Sequence, residues 1–423
     1  HVLGGRGFVA PSDRLVIAGV GVGGVGRSYL KGCEAENIAV LCDVDTAYAA
    51  KTFEAYPKAV RYQDYRVMLE KEKGIEAVVI GTPDHTHAEI ALAAMSLGKH
   101  VYCAKPMTRT VAEARRLKKM AAEKRVATQM SVQSCGSDDA ATTAEWVRAG
   151  AVGRIREVHV WSDRPVWPQD IARPKEQPAV PPGLDWDLWL GGAPKRPYHP
   201  LYHPFNFRGW VDFGTGALGD MGCHTLHVIV RALDLGDPLS VEATRAAVML
   251  PALSGDADRT WTRSRKARNT ETFPHASIVT WRFAARGGRG TLPVTWYDGG
   301  LKPPVPEGWE RPKPLPGDGI FFVGEKGVLW SGFTGKPRLL PEEKHAAYRP
   351  PKKSMPRTAG HYEEWIAAAK GGPPAMCEFG FGSYLTELTL LGAIAQRTEK
   401  YLEWDSAAMR FRNDAESTEL LSR

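Results

Sequence analysis

The first 130 residues alternate between short apolar runs and longer stretches of helix-compatible composition. The apolar runs lie at residues 15–18, 38–42, 77–80 and 100–103, and stretches rich in Ala, Leu, Lys and Glu separate them. Runs of this length without polar alternation are typical of strands that are buried on both faces of a parallel sheet. The pattern therefore predicts an α/β fold that begins with a doubly wound parallel sheet, a Rossmann domain over residues 14–136.

Residues 137–423 follow a different pattern, with polar and apolar positions alternating at 155–161. Further strand-like segments lie at residues 240–250, 276–283, 292–297, 319–323 and 327–330. Their long connections contain Gly and Pro, which favours a C-terminal α/β domain with a large, mostly antiparallel sheet and one open face. Because an open apolar face is commonly covered by another subunit, we expect a homo-oligomer, a dimer or tetramer, that forms through this sheet.

The remaining segments complete the predicted organisation. Residues 1–13 have the character of an extended arm before the first strand. Helices are expected at residues 62–71, 88–97, 111–124, 140–150, 217–233 and 384–397, and another is expected to begin at residue 361. The last two of these helices are expected to pack back onto the first domain.

A glycine-rich turn joins the first apolar run to the helix-compatible segment that follows it. Glycines permit a tight turn and let the backbone approach a pyrophosphate, whose charge is favoured at a helix N-terminus. Two registers of G-x-G-x-x-G fit, Gly19-Gly21-Gly24 and Gly21-Gly23-Gly26, and the first is preferred because Gly19 directly follows the strand. The predicted cofactor-binding residues of the turn are Gly19, Gly21, Val22, Gly23 and Gly24. A glycine loop without a ligand is the alternative.

Asp43 ends the second apolar run, at the distance from the glycines where the fold places an acid on the ribose hydroxyls of a dinucleotide. Asp45 lies two residues further on, and no Arg follows to receive a 2′-phosphate. The spacing therefore favours NAD over NADP. The alternative role for Asp43 is that of a helix N-cap.

Polar residues follow the next two apolar runs, at the edge of a parallel sheet where ligands bind. Four residues of the segment 82–87 are candidate cofactor contacts: Thr82, Pro83, His85 and His87. A metal site or simple loop polarity is the alternative for the two histidines. Lys105 closes the run at residues 100–103 and is followed by proline, and core packing does not explain a lysine there. We therefore treat Lys105 as a candidate for both cofactor binding and catalysis, with a surface lysine as the alternative.

A Pro- and Trp-rich excursion spans residues 164–204. So long a loop inside a compact domain is usually functional, and its aromatic, Arg, Asp and His residues suit a sugar, whose C–H faces stack while its hydroxyls bind polar groups. The candidate substrate-binding residues in and just beyond it are Arg164, Trp167, Tyr202, Arg208 and Trp210. Peripheral packing or a subunit contact is the alternative.

Asp220 and His224 lie four residues apart in the helix predicted at 217–233, so both project from one face of its first turns. An acid beside an imidazole raises the basicity of the imidazole and orients it, as a proton-abstracting base requires. We therefore predict catalytic roles for both residues and substrate binding for His224. His227 lies one turn further on, so a metal site or a structural pair is the alternative, although no metal is predicted.

The composition narrows the function classes. The chain has 423 residues, of which 43% are hydrophobic and 24% charged, as in ordinary globular proteins. The formal charge of +7 is spread along the chain, which argues against a nucleic-acid partner. No apolar run approaches the length of a membrane span. The six cysteines show neither paired nor metal-type spacing, so we expect free, buried thiols.

These motifs together resemble the Gfo/Idh/MocA oxidoreductases, the family of glucose–fructose oxidoreductase and inositol dehydrogenase. The likeness covers nearly the whole chain: the glycine turn, residues 82–87, Lys105-Pro106, and residues 219–224, 296–300 and 361–365. The usual Glu-Lys-Pro of the family is Ala104-Lys105-Pro106 here. The resemblance implies a Rossmann domain, oligomers built through an open sheet, and Lys105, Asp220 and His224 as the catalytic group. The arm is similar to that of exported members, which implies a periplasmic location, with a cytoplasmic one as the alternative.

Three functions follow as hypotheses. The first is NAD-linked oxidation of a secondary hydroxyl of a sugar, in which His224, assisted by Asp220, takes the hydroxyl proton and Lys105 stabilises the alkoxide. The second is a glycosidase or lyase that keeps NAD tightly bound, oxidises the sugar transiently and eliminates the glycosidic bond. The third is an inactive sugar- or cofactor-binding protein, which only the missing glutamate supports.

Overall fold

Six parallel strands form the first sheet in a computed structural model, which describes residues 13–246, 269–285, 290–310 and 312–423. Its elements are β1 (Val16–Val20), α1 (Gly24–Gly32), β2 (Asn37–Cys42), α2 (Ala50–Ala55), β3 (Val60–Tyr62), α3 (Tyr65–Lys71), β4 (Ala77–Ile80), α4 (Asp84–Ser96), β5 (His100–Cys103), α5 (Val111–Lys124) and β6 (Thr128–Met130). The strand order is β3-β2-β1-β4-β5-β6. This order confirms the predicted doubly wound sheet, whose switch point lies between β1 and β4.

Local sequence explains why these elements form. All four residues of β4 are buried, as expected of an unalternated apolar strand between two helical layers. Asp64 caps α3 by accepting a hydrogen bond from the N–H group of Arg66. Thr110 and Glu113 form a reciprocal capping box at the start of α5, which satisfies two N–H groups of its first turn.

The second sheet has nine strands and is mostly antiparallel, as predicted. The elements of this part are α6 (Asp138–Arg148), β7 (Ile155–Trp161), α7 (Trp186–Leu190), α8 (Gly216–Leu233), β8 (Ser240–Arg245), β9 (Ser277–Ala284), β10 (Thr291–Tyr297), β11 (Gly319–Gly324), β12 (Gly327–Ser331), β13 (Arg338–Leu340), α9 (Glu342–Ala347), α10 (His361–Ala369), α11 (Phe379–Thr398), β14 (Leu402–Asp405), β15 (Arg410–Phe411) and α12 (Ala415–Glu419). The order is β13-β12-β11-β7-β10-β9-β8-β14-β15, and β7 and β10 run parallel.

The two faces of the nine-stranded sheet differ. On the inner face, Trp281 of β9 is fully buried and donates a hydrogen bond from Nε1 to the carbonyl of Leu388 in α11 at 3.1 Å. On the outer face, Trp309 and Leu315, from the proline-rich loop after β10, pack on a buried cluster that contains Phe321. Part of the face that was expected to be open is thus covered by the chain itself, and the homo-oligomer stays a prediction.

The helices α10 and α11 contact the six-stranded sheet. Trp365 of α10 is fully buried in the same apolar cluster as Ile17 of β1 and Val79 of β4. The N–H group of Met130, at the end of β6, donates to the carbonyl of Cys377, just before α11, at 2.8 Å. The C-terminal part of the chain therefore supplies a layer of the first sheet.

Some element bounds differ from the predictions. The fourth helix begins at Asp84 rather than near residue 88, because Pro83 takes the N-cap position and the carboxylate of Asp84 lies in the first turn, where the helix dipole favours it. The helix predicted at 384–397 begins at Phe379, since Glu378 caps it and two glycines in its first turns obscure the helical pattern. Of the arm predicted at residues 1–13, the described residues include Asp13 alone. Of the segment predicted at 240–250, residues 240–246 are described and residues 247–250 are not.

Candidate active site

The glycine turn connects β1 to α1 at the switch point of the six-stranded sheet. Gly21 has φ +72°, and a Cβ there would lie 2.6 Å from the backbone nitrogen of Thr82. A Cβ on Gly26 would overlap the carbonyl oxygen of Gly21, so this position requires glycine for the close packing of helix on turn. The register is therefore Gly21, Gly23 and Gly26. The preference for the register that starts at Gly19 was wrong, because Gly19 lies inside β1.

Asp43 is buried directly after β2 and holds the glycine turn. Its Oδ2 accepts hydrogen bonds from the N–H groups of Val22 at 2.8 Å and Gly23 at 3.0 Å, and its Oδ1 accepts one from Asp45 at 2.9 Å. Burial raises the pKa of Asp43 to about 6, although these hydrogen bonds oppose the rise. The carboxyl group also lines the cavity described below, so it is available to a ribose as well as to the turn.

Tyr48 is a site residue that the sequence patterns did not indicate. A Cβ on Gly23 or Gly24 would overlap its ring or its hydroxyl group, so the tyrosine lies against the turn. Its ring stands edge-on to His203 from the second part of the chain, at 5.9 Å between centroids. A lone tyrosine in a polar segment carries no local signal, and only the fold brings it to the turn.

His85 and His87 lie on the first turn of α4 and bind backbone carbonyl groups. The Nε2 atom of His87 lies 2.7 Å from the carbonyl oxygen of Thr82, and Nδ1 lies 2.9 Å from that of Pro106, so the buried ring links the ends of β4 and β5. The Nε2 atom of His85 lies 2.9 Å from the carbonyl oxygen of Trp189, and burial lowers its pKa to about 4. The ring nitrogens are thus engaged by the protein, and both histidines position neighbouring segments.

The excursion after β7 docks on the first domain beside Asp43. The N–H group of Thr46 donates to the carbonyl of Gly183 at 3.0 Å, and that of Asp185 donates to the carbonyl of Val44 at 2.8 Å. The Nε2 atom of His203 lies 2.8 Å from Oδ2 of Asp45, and both side chains are nearly buried. We call residues 183–205 the roof segment, because they close one side of the nucleotide-binding edge.

Most of the aromatic residues predicted to bind substrate form the core of the excursion instead. Tyr202 and Trp210 are buried in one cluster, and Trp210 donates from Nε1 to the carbonyl of Leu201 at 2.7 Å. Trp167 is buried and donates to Oε1 of Gln169 at 2.9 Å. These three residues and Arg164 do not line the cavity within the described part of the chain. Large aromatic residues are needed to pack so long an excursion, and composition alone does not separate that role from substrate stacking.

Lys105, which follows β5, and Asp220, which lies on α8, are in contact. Nζ of Lys105 lies 2.6 Å from Oδ1 of Asp220, and each side chain is 13% exposed. Nε of Arg208 donates to the same Oδ1 at 3.1 Å. Burial alone would raise the pKa of Asp220, but the charges of Lys105 and Arg208 lower it below its usual range. Asp220 is therefore a permanent anion that fixes two cations.

His224 lies one turn beyond Asp220 on α8, and both side chains are partly buried. Its ring stands edge-on to Phe333 at 5.2 Å between centroids, and its Nδ1 has no hydrogen-bond partner among the described residues. Burial and the charge of Lys105 lower the pKa of His224 to about 3. The carboxylate of Asp220 raises the pKa of this imidazole, as expected, but burial and the charge of Lys105 outweigh it, so the net shift is downward. His224 is neutral at physiological pH and can accept a proton.

The remaining histidine and thiols of this region are structural. Nε2 of His227 lies 3.0 Å from Oγ of Ser134, which ties α8 to the segment after β6. Among the residues that the structure describes, no three His, Cys, Asp or Glu side chains gather as a metal-binding group. All six cysteines are free and buried, as predicted.

One cavity of about 350 Å³ runs along the carboxyl edge of the six-stranded sheet. Its lining includes Gly21, Asp43, Thr82, Lys105 and Arg208. A dinucleotide fits this set, which combines a turn with no side chains to obstruct a pyrophosphate, an acid for the ribose hydroxyls, and two cations. Asp220 and His224 are not among the described residues that line the cavity, but Asp220 contacts both of these cations.

Two family models match the chain. One, described as the NAD-binding Rossmann fold of the Gfo/Idh/MocA oxidoreductase family, matches residues 14–132, and the other, described as its C-terminal α/β domain, matches residues 163–267. Levoglucosan dehydrogenase of Pseudarthrobacter phenanthrenivorans is 27% identical over 221 residues, which are 52% of this chain and 48% of that protein. Inositol 2-dehydrogenase of Salmonella typhimurium is 29% identical over 103 residues, 23% of this chain and 30% of its own length. These matches span half or less of either relative.

Solved structures share the fold over nearly the whole chain. The WlbA dehydrogenase of Bordetella pertussis, in complex with NADH and UDP-GlcNAcA, superposes with a TM-score of 0.60 at 17% identity and covers 93% of this chain and 99% of that one. Levoglucosan dehydrogenase, in complex with NADH and levoglucosan, superposes with a TM-score of 0.59 at 17% identity and covers 92% and 99%. None of the helices in the described ranges has the length and apolar character needed to cross a bilayer.

Proposed function

The chain belongs to the Gfo/Idh/MocA oxidoreductase family, and from that premise we propose that it is an NAD-dependent dehydrogenase of a secondary hydroxyl group on a sugar or sugar derivative. Relatives named for levoglucosan and inositol support this substrate class. Less than two thirds of either relative is matched, so the activity rests on the site itself.

One observation carries the proposal. Lys105 of the first domain contacts Asp220 of α8 at 2.6 Å, and Lys105 lines the same cavity as the glycine turn and Asp43. A surface lysine would not be buried against a carboxylate at the end of a nucleotide-binding cavity. A buried ammonium group at this cavity supports oxidation of a sugar hydroxyl beside Lys105.

Lys105, Asp220 and His224 have different roles in the proposed oxidation. NAD, when bound, accepts a hydride from the substrate carbon. The ammonium group of Lys105 stabilises the negative charge that develops on the substrate oxygen, because it is held in place before the reaction by Asp220. We assign His224 as the acceptor of the hydroxyl proton, because its Nδ1 has no hydrogen-bond partner among the described residues.

The cofactor is NAD rather than NADP in this proposal. Asp43 stands at the ribose position with a carboxyl group that already binds the turn, and a 2′-phosphate would meet its negative charge. Among the described residues that line the cavity, the cations are Lys105 and Arg208, and Lys105 is bound to Asp220 at the catalytic end.

A panel assay tests the function. Purified protein is mixed with NAD and a set of sugars that includes levoglucosan, inositol and uronic acids, and NADH formation is followed by absorbance. We expect NADH to form with at least one sugar and a Lys105→Met variant to fail with all of them. Cleavage of a glycoside without added NAD would instead favour the glycosidase or lyase cycle. NADH binding without either reaction would favour the binding protein.

A further inference from the structure

Arg208 belongs to the second part of the chain but faces the nucleotide cavity. It lies on a short 3-10 turn, Asn206–Gly209, directly after the roof segment. The cavity that Gly21, Gly23 and Asp43 line on one side is lined by Arg208 on another. The guanidinium charge also lowers the pKa of Tyr48, partly countering the rise that burial causes, so it lies within electrostatic reach of the residue that covers the turn.

The guanidinium group is fixed before any ligand binds. Nε donates to Oδ1 of Asp220 at 3.1 Å, and Nη1 donates to the carbonyl of Phe205 at 3.1 Å. The group lies 4.6 Å from the ring centroids of both Phe205 and Phe207. The side chain is 18% exposed, and in the described structure Nη2 has no hydrogen-bond partner. The guanidinium group is planar, its orientation is fixed by these contacts, and Nη2 has no partner among the described residues. Such a group is suited to bind an anionic oxygen.

The local charges favour an anion. Lys105 and Arg208 share one oxygen of one carboxylate, so Asp220 alone does not neutralise both cations. Asp84 is a second acid within electrostatic reach of Arg208, but burial raises its pKa, and it accepts a hydrogen bond from Oγ1 of Thr215 at 2.7 Å. A ligand that brings its own negative charge to Nη2 would complete the cluster.

We propose that Arg208 is an anion-binding residue of this cavity, and that its ligand is a phosphate or carboxylate oxygen. Two sources share this chemistry: the pyrophosphate of the dinucleotide, and an acidic group on the sugar. The first source requires only that the cavity binds a dinucleotide, whereas the second rests on the proposed sugar dehydrogenase function. In either case the second part of the chain supplies a charge that the glycine turn lacks.

The test uses full-length wild-type protein, Arg208→Gln and Arg208→Lys. NADH affinity is measured without sugar by fluorescence titration at low and high salt. KM and kcat are then measured at saturating NAD for a neutral sugar and the corresponding uronic acid. Arg173→Gln is the matched control, because Arg173 also pairs with a carboxylate, Glu271, in the same part of the chain but lies outside the cavity lining.

Loss of a charge-assisted hydrogen bond predicts a change of about tenfold or more. If the pyrophosphate is the ligand, Arg208→Gln weakens NADH binding by that factor, reduces its salt dependence, and Arg208→Lys recovers part of it. If the sugar is acidic, NADH binding is unchanged and KM rises for the uronic acid alone. Unchanged NADH affinity with a fall in kcat only, or with equal KM changes for both sugars, would overturn the proposal. A wild-type protein that binds NADH but oxidises no sugar refutes the proposed function, and the NADH titration still decides the role of Arg208.

Discussion

Nζ of Lys105 lies 2.6 Å from Oδ1 of Asp220, although Lys105 follows β5 of the first sheet and Asp220 lies on α8, which packs against α6 and α11. The contact makes the candidate active site a property of both parts of the chain. It also gives the ammonium group a fixed position beside the cavity.

Replacement of Lys105 by Met should lower kcat by about 10²–10³-fold, because the developing oxyanion loses a positioned charge. NADH affinity should stay close to wild type, since the turn and Asp43 are untouched, and both quantities are measured on the same preparation. Lys302→Met is the matched control, as it removes a lysine paired with Asp163 outside the cavity lining. A Lys105→Met variant that turns over at the wild-type rate would remove the lysine from the mechanism.

Replacement of Gly26 by Ala should destabilise the protein by roughly 1–3 kcal/mol, because the new methyl group overlaps the carbonyl oxygen of Gly21 and forces the turn away from α1. NADH binding should fall in parallel. Thermal unfolding and fluorescence titration measure the two effects. Gly74→Ala is the control, since nothing lies within 4 Å of a Cβ at that position. Equal stability of the two variants would show that Gly26 is not the packing glycine of the motif.

The pH dependence of kcat/KM should lack the acid limb of an ordinary histidine. The pKa of His224 is lowered from 6.5 to about 3, so the ring is protonated only near and below that pH and is neutral at every pH above it. Activity that depends on neutral His224 should therefore stay level from about pH 8 down to pH 5. A limb with its midpoint near 6.5 in the wild type that disappears in His224→Asn would contradict this expectation.

Breaking the contact between His203 and Asp45 should speed cofactor release. The contact between these two side chains holds the roof segment beside Asp43. Replacement of His203 by Asn weakens this contact. We expect His203→Asn to raise the NADH dissociation rate by about tenfold, the equivalent of one hydrogen bond to a charged group. Stopped-flow displacement measures the rate. His199→Asn is the control, because Nδ1 of His199 accepts a hydrogen bond from Leu201 inside the excursion and His199 is not among the described residues that line the cavity. Equal release rates in both variants would mean that the roof segment does not hold the cofactor.

The parallel sheet could be predicted from the sequence more completely than the site residues could. Buried strands such as β4 and capped helices such as α5 carry their own local signals, so the parallel sheet was predictable. The register of the glycine turn was not, because it depends on which glycine packs against the carbonyl oxygen of Gly21. Because every second or third residue of this run is glycine, the local sequence does not distinguish between the two registers of the motif.

Long-range contacts explain the other differences. Tyr48 and His203 reach the site through the docking of the roof segment, which no pattern within 20 residues of either describes. Tyr202 and Trp210 look like sugar-stacking residues by composition but are needed to pack the excursion. The low basicity of His224 also depends on burial, and burial follows from tertiary structure rather than from spacing along a helix.

The layer that α10 and α11 add to the first sheet has a consequence for recombination. Trp365 is buried among residues of β1 and β4, and Gln129 of β6 donates from Nε2 to the carbonyl of His361 at 2.6 Å. A chimaera joined near residue 136 would take α10 and α11 from the other parent together with the rest of residues 137–423. The first sheet would then pack against helices of a different sequence. A functional chimaera between relatives therefore has to keep the contacts of Trp365 and Gln129. This requirement couples the cofactor-binding domain to the substrate-binding domain during recombination.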